Sequence, residues 1–394
     1  MLYREKADQA QALLAETGLD CWLSFARETE CRPDPGVELV VGADVVRSSA
    51  FLFDRSGARI AILARFDVAN VQASGVFTEV IPFDADFRTP LRDALTRLDP
   101  KSIGLNYSRD DPTADGLTYG HLLRLTDALK DTPYPGRFTT AAPLLARLRG
   151  RKVPAEVARI REAIRETEDI VGLVGGQIRP GISARAIADV VHAEFRRRDF
   201  RPAWPADSCP VVDVGPGAES GHNRPSDEHR VAPGHAVHID LGLKKDGYCS
   251  DLQRDWYVLK PGESRPPEEV TRAYATIVRA IEAAAAVLRP GAVGHEVDAA
   301  ARHVVVDAGY PEFRHGVGHG LGRAVHDGGT LLGPKWPVYG TLVEGVVEAG
   351  NVFTLELGVQ TSAGHVGLEE DVLVTPTGCE FLSSFPREIF VVGG

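Results

Sequence analysis

An internal repeat in the C-terminal part of the chain restricts the possible folds more than any other feature. Arg179-Pro180-Gly181 is followed by ISARAIADVVHAEFRRRDF, which ends at Phe200. Arg289-Pro290-Gly291 is followed by AVGHEVDAAARHVVVDAGY, which ends at Tyr310, at an offset of 110 residues with no gap. A helical stretch precedes each Arg-Pro-Gly. Further on, GHAVHIDLG from Gly234 aligns with GNVFTLELG from Gly350, now at an offset of 116 residues. The order helix, Arg-Pro-Gly, helix, acid-bearing strand thus occurs twice, which two amphipathic helices alike by chance would not produce. The repeat predicts a duplicated half-domain with a pseudo-twofold axis. Asp240 and Glu356 then occupy equivalent places, and a site between the halves draws ligands from both.

The acids fall on one face of two hairpins. In VHIDLGLKKDGYCSDLQRDWYVL, Asp246-Gly247 is a strong hairpin dipeptide. A two-residue loop there sets Asp251 opposite Gly242, and Asp240 shares that face because strand side chains alternate. In VFTLELGVQTSAGHVGLEEDVLV the turn is expected at Ala363-Gly364, which sets Glu369 opposite Gly358 and on the face of Glu356. Glu370 then points the other way. Four converging carboxylates repel one another if ionised and buried, and a pair of divalent cations removes that conflict.

Between the hairpins lies FRHGVGHGLGRAVHDGG, with His315, His319 and His326 spaced by four and seven. The glycines allow close approach of the backbone to a strand or ligand. One imidazole can complete a carboxylate-rich metal site, and the others can bind substrate or carry protons. His222 stands 18 residues before Asp240, while His229, His235, His238 and His365 read as structural or exposed. His238 shares strand parity with Asp240 and faces away from the acids only if the strand bulges.

With 394 residues the chain exceeds what one core usually supports, so two domains are expected, 1–148 and 149–394. The boundary is read from Pro154, a helix-starting residue ahead of the charged helical run Ala155 to Leu173. The first domain reads as mixed α/β: a helix from Leu2 to Glu16, a hairpin in SAFLFDRSGARIAILA, and helices over Thr89 to Leu98 and Leu117 to Leu129. A net charge of −11 disfavours nucleic acid and anionic membranes as partners. Five scattered cysteines suit a reducing, cytoplasmic compartment. The first residues lack a signal-peptide core, and no run approaches the ~20 apolar residues of a membrane helix.

Taken together, HIDLG with YCSD, HGVGHGLG with VHD, FTLELG and GLEEDVLVT resemble the pita-bread metallopeptidases, the family of creatinase, aminopeptidase P and prolidase. The likeness covers roughly residues 150 to 390. It implies an α+β fold, with a duplicated pita-bread catalytic domain preceded by a smaller α/β creatinase-like domain. It also implies hydrolysis of Xaa-Pro bonds, most readily in dipeptides, with aminopeptidase P activity on longer peptides as the neighbouring possibility and a non-peptidase relative as the remote one. Two divalent ions are implied, manganese, zinc or cobalt, with Asp240, Asp251, His319, Glu356 and Glu369 as ligands and Asp251 and Glu369 bridging. Glu356 corresponds to the general base, and His222, His315 and His326 to substrate-binding and proton-shuttling positions. The likeness further implies a homodimer and a small peptide substrate with proline second.

Three residues depart from the family pattern. Leu357 replaces a proline, Gly367 an arginine, and Gln253 a threonine. The lost arginine leaves carboxylate recognition to another basic residue, for which Arg224, Arg230 and Arg323 are candidates.

Overall fold

The computed structural model describes residues 2–217 and 224–393. They divide into two compact units, Met1–Arg149 and Gly150–Gly394.

The first unit runs α1 (Leu2–Thr17), β1 (Cys21–Ala26), β2 (Ser49–Asp54), β3 (Arg59–Ala64), α2 (Val68–Ala73), β4 (Glu79–Phe83), α3 (Arg88–Leu98), β5 (Ile103–Leu105), α4 (Tyr119–Ala128), β6 (Phe138–Thr140) and α5 (Ala142–Gly150). Its sheet has the order β4-β3-β2-β1-β5-β6 and mixes parallel with antiparallel pairs. Alternation along the strands builds two apolar layers. Trp22, Phe51 and Phe53 pack with Ala10 and Leu14 of α1 and Leu144 and Leu148 of α5. Leu23, Phe25, Leu52 and Ile62 pack with Leu91 and Leu95 of α3 and Leu125 of α4.

The second unit runs α6 (Pro154–Gly175), α7 (Ala184–Arg198), β7 (Arg201–Pro202), β8 (Val211–Val214), β9 (Ala236–Leu241), β10 (Leu243–Lys245), β11 (Tyr248–Cys249), β12 (Leu252–Val258), α8 (Glu268–Val287), α9 (Gly294–Asp307), β13 (Val352–Thr361), β14 (Gly364–Val374), β15 (Cys379–Phe381) and β16 (Phe390–Val392). Pro154 opens α6 without losing a needed donor, and the Val153 N–H donates to Glu156 Oε2 at 2.9 Å. The main sheet has the order β13-β14-β12-β9-β8, with β15 on β14 and β16 on β12.

The repeat is visible in hydrogen bonds as well as in elements. Gly181 N–H donates to Val231 O and Gly291 N–H to Val347 O; Ala184 N–H donates to His229 O and Gly294 N–H to Gly345 O. Gly181 and Gly291 have φ of 92° and 91°, and Gly234 and Gly350 have 90° and 89°. These left-handed positions explain why glycine recurs at each copy. The helices of each half cover the same face of the main sheet. Ile170 and Val174 of α6 and Ile187 and Val191 of α7 pack on Val237, Ile239 and Trp256. Ile277 and Ile281 of α8 and Val297 and Val305 of α9 pack on Leu355, Leu357, Leu368 and Val372. The other face is thereby left to the residues of opposite parity.

One turn differs from expectation. Thr361 pairs with Gly364, so the β13–β14 loop is Ser362-Ala363, two residues off the expected register. Gly364 is required for another reason: a Cβ there would stand 2.7 Å from the Gly215 carbonyl. The Thr361 hydroxyl closes the turn by donating to Gly364 O at 2.8 Å. A shift of two preserves strand parity, so Glu356 and Glu369 remain on one face, now directly opposite each other.

Leu355 is fully buried where β13 meets α8 and α9. Leu355→Ala is expected to cost about 2–5 kcal/mol of stability, measured by denaturant unfolding.

Candidate metal centre

The polar face carries a row of side chains across four adjacent strands. Asp240 on β9 pairs with Gln253 on β12, Gln253 pairs with Glu369 on β14, and Glu369 pairs with Glu356 on β13. Directly opposed residues share a face, so all four side chains project together. Asp251 has the parity of Gln253 and joins them. Glu370 has the other parity: it forms a buried ion pair with Arg254 at 2.9 Å and accepts a hydrogen bond from Ser383.

His319 reaches the row from the glycine-rich segment, which runs alongside β13. Its carbonyl accepts from Thr354 N–H at 3.0 Å, and Val317 O accepts from Glu356 N–H at 2.7 Å. A Cβ at Gly318 would collide with the Thr354 carbonyl, so glycine there is what permits this alignment. His319 Nε2 lies 3.5 Å from Glu356 Oε1, 3.8 Å from Asp251 Oδ2 and 4.0 Å from Glu369 Oε1. Asp251, His319 and Glu369 each offer a ligand atom, and these atoms lie within 4.8 Å of one another.

The electrostatics call for positive charge. Burial and then Glu356 push Asp240 up to about 7. Asp251 is held well above the usual carboxylate range by burial and then by Asp240, and Glu369 by burial and then by Asp251. Burial lowers His319 to about 4, keeping the imidazole neutral as a metal ligand requires. Oδ1 of Asp240, Oδ1 of Asp251 and Oε1 of Glu369 are buried without a hydrogen-bond partner. Such orphaned acceptors are costly unless a cation completes them, so the donor set fits divalent metal.

The remaining candidates are more dispersed. The His326 ring stands edge-on to His319 at 4.3 Å. His315 is exposed, with Nδ1 2.9 Å from its neighbour's carbonyl at Gly316 and its ring edge-on to Phe313. His222 lies outside the described residues. Arg224 pairs with Asp207, Arg230 donates to Gly181 O at 3.0 Å, and the buried Arg323 guanidinium lies over the Tyr248 ring.

Two further residues join this face. Asp371 is fully buried, and its Oδ2 accepts from Asp251 N–H at 3.2 Å, fixing the backbone beneath that candidate ligand. His238 does share the face of Asp240, since it pairs with Asp255 without a bulge. Its Nδ1 lies 2.9 Å from Asp255 Oδ1, and its ring is edge-on to His365 at 4.8 Å. Strand parity marks His238, two before Asp240, in the sequence; Asp371, two beyond Glu369, shares the parity of its strand but is identified only by its contact with Asp251.

A duplicated α+β domain with a buried carboxylate cluster on the polar face of its sheet is the architecture of the pita-bread fold. The profile of metallopeptidase family M24 matches residues 158–376, and the chain belongs to that family. It is 25% identical over 395 residues to the peptidase YqhT of Bacillus subtilis, covering 98% of this chain and 100% of that one. Among solved structures it is similar to the X-Pro aminopeptidase of Thermotoga maritima, at 25% identity and a TM-score of 0.71 over 98% of this chain and 99% of that one. It is also similar to the dipeptidase PepE of Mycobacterium ulcerans, at 26% identity and a TM-score of 0.72 over 99% and 98%. Family membership implies divalent metal ions and a peptide substrate. Among the described residues no helix is long and apolar enough to cross a membrane.

Adjacent glutamates of opposite parity make a direct test. Glu369→Gln is expected to abolish stoichiometric metal binding, read by elemental analysis of dialysed protein. Glu370→Gln is expected to retain metal while losing on the order of 3 kcal/mol of stability, because Arg254 is left buried without its counter-charge.

Proposed function

We propose that the chain hydrolyses the Xaa-Pro peptide bond, with dipeptides as its principal substrates. One observation carries this reading. Four carboxylates and a neutral imidazole converge on one sheet face, with buried oxygens left unpartnered, in a chain of family M24. The similarity to an X-Pro aminopeptidase and to a dipeptidase supports the choice of bond and of short substrates.

In this reading Asp240, Asp251, His319, Glu356 and Glu369 would hold two divalent ions, manganese, zinc or cobalt. When bound, such ions would supply Lewis acidity at this face. Glu356 is the carboxylate placed to take a proton from water attacking the carbonyl before proline. Asp371 keeps Asp251 in place through its backbone N–H. His326, packed against His319, and His315 bind the substrate and move protons, together with His222. We assign residues 1–148 to a creatinase-like domain and 149–394 to the catalytic domain, and place the protein in the cytoplasm as a homodimer.

Ala-Pro and Ala-Pro-Ala separate the two substrate classes when assayed with metal restored after chelation. Faster turnover of the dipeptide is expected; comparable or faster cleavage of the tripeptide would make the enzyme an aminopeptidase P. Failure to cleave either at full metal occupancy would sink both readings. Glu356→Gln is expected to lower kcat by about 100-fold or more, the scale of a lost general base. Near-wild-type turnover would remove that role.

A further inference from the structure

Gln253 occupies the centre of the row, with Asp240 opposite on one side and Glu369 on the other. Only 7% of its surface is exposed. Its Nε2 donates to Glu356 Oε2 at 3.0 Å, while Glu356 Oε1 lies 3.5 Å from His319 Nε2. The two oxygens of Glu356 therefore have different neighbours. One is held by an uncharged amide and the other faces the imidazole. An amide is suited to this place, because it donates to a carboxylate without adding charge to a crowded cluster.

The amide is accommodated by Gly367. A Cβ at position 367 would stand 2.8 Å from His238 Cε1, 3.0 Å from Gln253 Oε1 and 3.1 Å from His365 Nε2. Contacts that close force neighbours to move in a packed interior. His238 is itself pinned by Asp255, whose other oxygen accepts from the Gly367 N–H at 2.8 Å. The His238 ring also stands against His365, leaving it little room to yield. Gly367 is thus the complement of Gln253 rather than an isolated loss of a side chain.

We infer that Gln253 is a positioning residue that fixes the orientation of the Glu356 carboxylate, and that Gly367 provides the space this requires. The inference rests on the proposed roles of Glu356 as metal ligand and general base. Its consequence is that Gln253 acts only through Glu356. Loss of the donor leaves the carboxylate free to rotate away from the geometry in which it binds metal and accepts a proton. Neighbours that orient metal ligands commonly contribute about 10–100-fold in affinity or activity.

The test compares Gln253→Met, close in volume but unable to donate, with wild type in the full-length protein. Kinetics on Ala-Pro at saturating Mn²⁺ are paired with calorimetric titration of Mn²⁺ into metal-free protein. Expected are a kcat lowered by about 10-fold or more, a KM within about twofold, and Mn²⁺ affinity weakened by about 10-fold, with little change in the metal-free Tm. In a Glu356→Gln background the same substitution should produce no further loss of kcat or affinity. Undiminished kcat and affinity in Gln253→Met would overturn the inference, as would equal losses in the two backgrounds. Gln253→Asn, whose amide is too short to reach, should behave like Gln253→Met and serves if the latter does not fold. If Glu356→Gln alone keeps near-wild-type turnover, the general-base assignment fails by itself. The Mn²⁺ titrations then still decide whether Gln253 holds Glu356.

Discussion

Crowding of negative charge on one sheet face is the constraint around which the second unit is organised. Asp240, Asp251, Glu356 and Glu369 are crowded together, and burial first and then neighbouring acids raise the cost of ionising Asp240, Asp251 and Glu369. They are held by strand pairing in a continuous register across β9, β12, β14 and β13. That register is in turn fixed from the opposite face. A slip of one residue on β13 would expose Leu355 and Leu357 and bury Glu356 among helices. Burial of apolar surface against α6 to α9 therefore stabilises a charge arrangement that is unfavourable on its own, and a divalent ion at the candidate centre would relieve what remains.

Duplication supplies the geometry economically. Each half contributes one helix pair, one left-handed glycine before its second helix and one acid-bearing strand. Two such halves side by side bring Asp240 and Glu356 to corresponding positions on a shared face. The copies have diverged where the chemistry differs. Before β9 lies the chain that carries His222, whereas before β13 lies the segment that delivers His319. Gly318 lets that segment press against β13 so closely that it behaves almost as another strand.

Much of this was legible in the chain because strand parity and repeat offsets are local, countable properties. Parity separates Glu369 from Glu370 even though the turn between β13 and β14 lies elsewhere than expected, since an error of two residues leaves every side chain on its face. The error itself was not avoidable from sequence. Gly364 looks like a turn residue, but its freedom is used where Gly215 crosses it. Contacts of that kind join residues distant along the chain and leave no local pattern. Asp371 is similar. Its parity was readable, but its hydrogen bond to the Asp251 backbone depends on how β12 and β14 lie side by side.

Position 367 carries glycine where the family pattern has arginine. Glycine leaves no hole there, because the space is filled. His238, Gln253 and His365 all approach within contact distance of where a side chain would begin. A guanidinium would bring a fixed charge, whereas these groups bring a neutral amide and two imidazoles, one of them bonded to Asp255. For His238 burial favours the neutral ring, but the bond to Asp255 and nearby acids outweigh it and raise its proton affinity. The face is thereby supplied with donors tied to particular acceptors instead of one long cation. If Gln253 positions Glu356 as inferred, this part of the sheet serves to organise that carboxylate and its neighbours.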